Sequence, residues 1–139
     1  MKLKIAALNV NGTILFLLGL LDFIRGITHT FRIEHAALNL AQIDPHPDAL
    51  VLMAAFGMSN FLTGSLFVLI SLKARKLAPT VLLLIPAAYM LGGLGMKVSN
   101  VTLQSPFIGQ HMIKVYLTVS LMTALFYYIC VLLERQRRE

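Results

Sequence analysis

Apolar positions run almost unbroken through four stretches of this 139-residue chain, over 5–27, 50–72, 77–96 and 115–133, with short polar segments between them. Each stretch is roughly 19–23 residues long, enough for a helix to cross a ~30 Å hydrocarbon layer. The pattern predicts an all-α fold, a four-transmembrane-helix bundle forming a single integral membrane domain over 1–139. Lys2 and Lys4 ahead of the first stretch imitate a secretory leader. Asn9, Asn11, Asp22 and Arg25 interrupt that stretch, however, and no small-residue cleavage site follows it, so it is expected to stay as the first helix.

The polar exceptions inside the stretches are ordered. In the first helix Asn11, Asp22, Arg25 and His29 fall on one face, with Gly12, Gly19 and Gly26 recurring every seven residues beside them. Small residues let a second transmembrane helix approach closely, and lipid cannot satisfy polar groups, so this face is expected to point into the bundle. The second helix has Asn60 near its middle, with Gly57, Thr63 and Gly64 on the same side. A four-residue turn over 73–76 predicts an antiparallel hairpin of the second and third helices. In the third, Pro79 sits at the tolerated start, Pro86 should bend the helix, and Gly92 and Gly95 offer a second close-packing strip. Between the first two helices, Ile33, Ala36, Ala37, Leu40 and Ile43 share one face, predicting a short amphipathic helix on the outer membrane surface. The run Asp44-Pro45-His46-Pro47-Asp48 should end it, since proline disfavours helix in the residue before it.

Composition adds sidedness. Hydrophobic residues make up 58% and charged residues 13%, and the formal net charge is +6. Lys2, Lys4, Lys73, Arg75, Lys76, Arg135, Arg137 and Arg138 all map to one side of the bundle, leaving Arg25, Arg32, Lys97 and Lys114 on the other. The positive-inside rule then puts both termini and the 73–76 turn in the cytoplasm. Basic charge partitioned in this way serves topology, and nucleic-acid binding has no support. Cys130 is the single cysteine, so no internal disulfide can form.

The candidate chemistry lies on the outer side, where His29, His35, His46 and His111 and the acids Asp22, Glu34, Asp44 and Asp48 all map. Asp22, Arg25 and His29, with Asn60, Tyr89, His111 and Lys114, are expected to line a polar pocket beneath the outer mouth, with Phe56, Phe67 and Met90 around its apolar part. An alternative is that Asp22 and Arg25 pair with each other, or with Lys114, and lock the helices. Histidines and carboxylates also suit a metal, and His29 with His111 suits axial haem ligation. No HExxH, Cys/His, phosphate-loop or nucleophile motif directs the choice, and cofactors stay open.

Ala54-Ala55-Phe56-Gly57 through Asn60 to Gly64, the basic turn, and Ala87-Ala88-Tyr89 to Gly95 resemble the DoxX-like group of small four-helix bacterial membrane proteins. That resemblance covers about a third of the chain. It implies a compact bundle in the bacterial inner membrane, accessory to redox or lipid metabolism, and carries over no catalytic residue. Arg32, His35 and Asn39 are similar to the membrane-associated glutathione and eicosanoid enzymes, but Gln42 and Ile43 stand where an acidic residue is expected. Three functions follow as expectations: a module binding a lipid-like or amphipathic small molecule among membrane lipids; an accessory subunit of a larger membrane complex or a homo-oligomer; and an enzyme using Asp22 or His29 as base.

Overall fold

The computed structural model describes residues 2–102 and 108–137. Part of the outer loop expected over 98–110, with Pro106, and Arg138 lie outside these described residues. Helix α1 spans Lys2–Phe31. A single turn, α2 (Ile33–His35), continues into a π-helical segment over Ala36–Ala41. Helix α3 spans Pro47–Lys73, a 3-10 turn covers Arg75–Leu77, and α4 (Ala78–Val98) and α5 (Gly109–Gln136) complete the chain. Four helices are long and apolar enough to cross a membrane, which marks an integral membrane protein. The helices outrun the apolar stretches at most ends; α5 starts six residues earlier than expected, at Gly109 rather than 115. Hydropathy detects only the part of a helix in hydrocarbon, whereas the backbone ladder continues through polar residues such as His111 and Lys114.

Local chemistry sets the entry to α3. Gln42 adopts a left-handed conformation (φ 55°) and closes the π-helical segment. His46 is extended, its ring accepts a hydrogen bond from the Asp48 amide at 3.4 Å, and Pro47 opens the helix. Proline is at home there because that N–H would have no helical partner. Ala36 and Ala37 are fully buried against Met53 of α3, with Ile33, Leu40 and Leu50 around them. Ile43 was expected on that face but is exposed, because the left-handed turn at Gln42 carries it off the helical stripe.

Helix α1 is the centre of the bundle. It packs along α3 and also against α5 and α4, while α4 pairs with α5. The second and third apolar helices, expected as an antiparallel hairpin, make little contact with each other among the described residues. The turn joining them leans on α1, where the Arg75 side chain lies against Gly12, its Nε donates to Ser71 O and its Nη1 to Asn9 Oδ1, both at 3.2 Å. The chain thus passes to the α5 side of α1 before α4 begins. Leu15 and Leu18 of α1, Ala78, Leu82 and Ile85 of α4, and Tyr116 and Ala124 of α5 form the main core. Asn11 ties α1 to α5 by donating to Thr123 O at 3.0 Å and to its own helix at Ala7 O at 2.9 Å. Pro86 lies inside a continuous α4.

The α1–α3 contact is a backbone crossing. A Cβ placed on Gly19 would sit 3.0 Å from Gly64 O, and one on Gly64 would sit 2.8 Å from Gly19 O. Farther along, Gly26 receives the Phe61 ring and Gly57 the Thr30 side chain. Gly92 and Gly95 pack against no other helix of this chain: among the described residues nothing lies within 4 Å of a Cβ at either. From residue 87 onward α4 is exposed along its whole circumference.

At the end of the bundle that carries the termini, Glu134 near the end of α5 caps the start of α1. Its Oε1 accepts from the amides of Leu3 at 3.0 Å and Lys4 at 3.3 Å. These are donors that a helix N-terminus leaves without an internal partner, and a carboxylate there also meets the positive end of the helix dipole. Glu134→Ala is therefore expected to speed hydrogen exchange at Leu3 and Lys4 while leaving the middle of α1 unchanged. Glu134→Gln, which keeps an acceptor, should fall between the two. Unchanged exchange at both amides in Glu134→Ala would rule out the cap.

Candidate functional site

Asp22, Arg25 and His29 recur at i, i+3 and i+7 on α1, so helical geometry alone puts them on one face. The structure brings that face against Phe56 of α3 and Tyr116 of α5. Asp22 is 3% exposed. Its Oδ1 accepts from Arg25 Nη1 at 3.3 Å, and its Oδ2 accepts from the Tyr116 hydroxyl at 3.1 Å. The carboxylate is thus held from α1 and α5, and the Thr63 hydroxyl of α3 also approaches it. The Arg25 guanidinium carbon lies 5.3 Å from the centre of the Phe56 ring and 6.0 Å from that of Tyr116. A cation facing aromatic rings gains about 0.5–2 kcal/mol, more where water is excluded.

His29 completes the cluster. Its Nδ1 lies 2.6 Å from Arg25 O, and a carbonyl oxygen can only accept. Nδ1 therefore carries the hydrogen, and in the neutral ring Nε2 keeps its lone pair. The imidazole meets Phe56 edge to face at 5.2 Å. One aromatic ring thus carries both Arg25 and His29, and Phe56 is itself 43% exposed. The cluster is open sideways to the surface rather than enclosed within the bundle.

The structure redraws the expected pocket. His111 and Lys114 are exposed, and neither contributes to the cluster. They do share a face with Thr118, but α5 turns Tyr116, Ser120 and Ala124 inward, at i, i+4 and i+8. At 100° per residue, His111 and Lys114 are then roughly opposite that face. Tyr116, which the pattern of polar residues does not single out, is the α5 side chain that reaches Asp22. Tyr89 is 38% exposed and within electrostatic reach of Tyr116, and among the described residues it makes no hydrogen bond to Asp22. Met90 is 71% exposed, and Phe67 packs against the main core, so neither surrounds the cluster.

Asn60 is buried on the α3 stripe facing α1, between Gly57 and Gly64. Its Nδ2 and the Thr30 hydroxyl oxygen have no hydrogen-bond partner among the described residues. Asn60 is therefore wedged in the α1–α3 seam instead of forming the floor of a chamber. No group of three or more His, Cys, Asp or Glu side chains is placed to hold a metal ion among the described residues. Comparison of the chain with family profiles, curated proteins and solved structures gives no match.

Proposed function

We propose that this integral membrane protein binds an acidic lipid or lipid-like amphiphile, with Arg25 holding the head group from the bilayer side. The single observation behind this reading is the state of Arg25. Its guanidinium is positioned by Asp22 and two aromatic rings, yet a guanidinium has five N–H donors and Asp22 engages one nitrogen. The side chain is 22% exposed, beside a surface-open Phe56. A charged group so costly to place in a membrane, held rigid with donors to spare, suits a carboxylate or phosphate oxygen. Asp22 and Tyr116 serve as positioning residues. In the same reading the Arg25 end is the outer face of a bacterial inner membrane, both termini are cytoplasmic, and the α2 segment lies along the outer surface as an amphipathic strap.

The test uses delipidated protein in mild detergent, titrated with anionic phosphatidylglycerol and zwitterionic phosphatidylcholine and read by native mass spectrometry. The wild type is expected to retain phosphatidylglycerol, and Arg25→Gln to lose about tenfold or more in affinity, the scale of one charged hydrogen bond. Equal retention by a monodisperse Arg25→Gln variant would end the proposal.

A second reading has its own observation. The outer half of α4 is exposed all round, with Gly92, Gly93 and Gly95 facing open space, whereas five glycines of α1 and α3 are filled by neighbours. That surface suits packing against a partner helix, as in an accessory subunit or homo-oligomer. Gentle extraction and native sizing separate the readings: co-migration with a large assembly favours the partner, and a free monomer counts against it.

A further inference from the structure

We infer that the head group held at Arg25 carries a hydroxyl hydrogen beside its negative charge, and that His29 Nε2 accepts it. This rests on the proposed reading of Arg25 and goes beyond it by naming the ligand chemistry. The orientation of the imidazole follows from one contact. Arg25 O can only accept, so the 2.6 Å approach assigns the hydrogen to Nδ1 and leaves Nε2 as a hydrogen-bond acceptor. Nε2 makes no hydrogen bond among the described residues, and it is not among the polar atoms sealed without a partner, so it stands open.

His29 and Arg25 are four residues apart on α1, neighbours on one helix face, and both approach the Phe56 ring, at 5.2 and 5.3 Å from its centre, so a donor-rich cation and a bare acceptor lie one helical turn apart. A purely anionic head satisfies only the first of these and leaves Nε2 facing an acceptor. A phosphate ester bearing a hydroxyl satisfies both. The bilayer is the source we assign, because Phe56 is open sideways and the neighbouring Val51 and Leu52 on α3 are 67% and 72% exposed, a surface for acyl chain rather than for a soluble ligand.

The experiment compares phosphatidylglycerol, whose glycerol head carries hydroxyls, with phosphatidylmethanol, which has the same single charge and no donor. Phosphatidylcholine is the reference, and all three are titrated into delipidated wild-type protein in one buffer. Phosphatidylglycerol is expected to bind about 5–10-fold more tightly than phosphatidylmethanol, the worth of one hydrogen bond. Both should exceed phosphatidylcholine. In His29→Phe, which keeps a ring against Phe56, the two anionic lipids should become equal while their advantage over phosphatidylcholine survives. Equal wild-type binding of the two anionic lipids, both above phosphatidylcholine, overturns this inference and leaves the Arg25 reading standing. No preference for either anionic lipid overturns both. A preference that persists in His29→Phe also overturns the role of His29. The wild-type comparison can overturn the inference even if that variant fails to fold, and His29→Gln, which replaces the ring acceptor with an amide, then stands in for it. Glycerol phosphate without acyl chains should compete only weakly; displacement of the lipid at equal concentration would overturn the bilayer as source.

Discussion

Gly64→Leu should abolish the folded bundle, while Gly92→Ala and Gly95→Ala leave its melting temperature unchanged or raise it. At Gly64 even a methyl group would sit 2.8 Å from Gly19 O, a backbone atom that cannot rotate away. The α1 and α3 helices would have to separate, undoing the Gly26–Phe61 and Gly57–Thr30 contacts along the same seam. Overpacking of this kind costs about 1–3 kcal/mol for a small increment and more for a whole side chain. In a membrane no hydrophobic gain between helices offsets it. At Gly92 and Gly95 an added Cβ meets nothing within 4 Å among the described residues, and alanine is favoured over glycine in a helix by roughly 1 kcal/mol. Thermal unfolding of the three variants in one detergent checks this. Similar losses at Gly64 and Gly92 would mean that the seam is not where the bundle's stability resides. If α4 docks a partner, the Gly92 variant would keep its own melting temperature and lose the complex.

Asp22→Ala should destabilise the protein by about 3–5 kcal/mol, the range for breaking a buried ion pair. The loss leaves Arg25 without its counter-charge and strips the Tyr116 hydroxyl of its acceptor, all within the α1–α5 contact. The double variant Asp22→Leu/Arg25→Leu should be more stable than Asp22→Ala alone, because no unpaired charge stays behind. Tyr116→Phe removes one hydrogen bond to a charged group and should cost about 1.5–3 kcal/mol. Reversible unfolding in mixed micelles, arranged as a double-mutant cycle, gives the coupling. Strictly additive losses for Asp22 and Arg25 would show that the 3.3 Å contact ties nothing together. The double variant also separates two roles. A folded bundle that no longer retains acidic lipid would show that the pair is not needed for folding and that Arg25 is needed for the ligand.

How much of this was legible beforehand differs from element to element. The four spans, the all-helical class and the polar, glycine-lined face of α1 follow from the chain alone, because leaving water is a demand on composition and helical spacing is fixed at 3.6 residues per turn. That Gly19 and Gly64 each fall on a stripe of small residues was readable for the same reason, whereas the meeting of the two stripes was not. The proximity of Asp22, Arg25 and His29 needed no more than their spacing.

What they meet was decided only by tertiary structure. Lipid and protein interior are both apolar, so a transmembrane helix marks its buried face weakly, and the stripe of His111, Lys114 and Thr118 looked as eligible as that of Tyr116, Ser120 and Ala124. Periodicity says which side chains share a face, not which neighbour that face finds. The passage of α4 to the α5 side of α1, the Glu134 cap over the start of α1, and Phe56 serving both Arg25 and His29 depend on contacts between residues distant in sequence. Such contacts leave no local periodic trace, and only the packed chain brings them together.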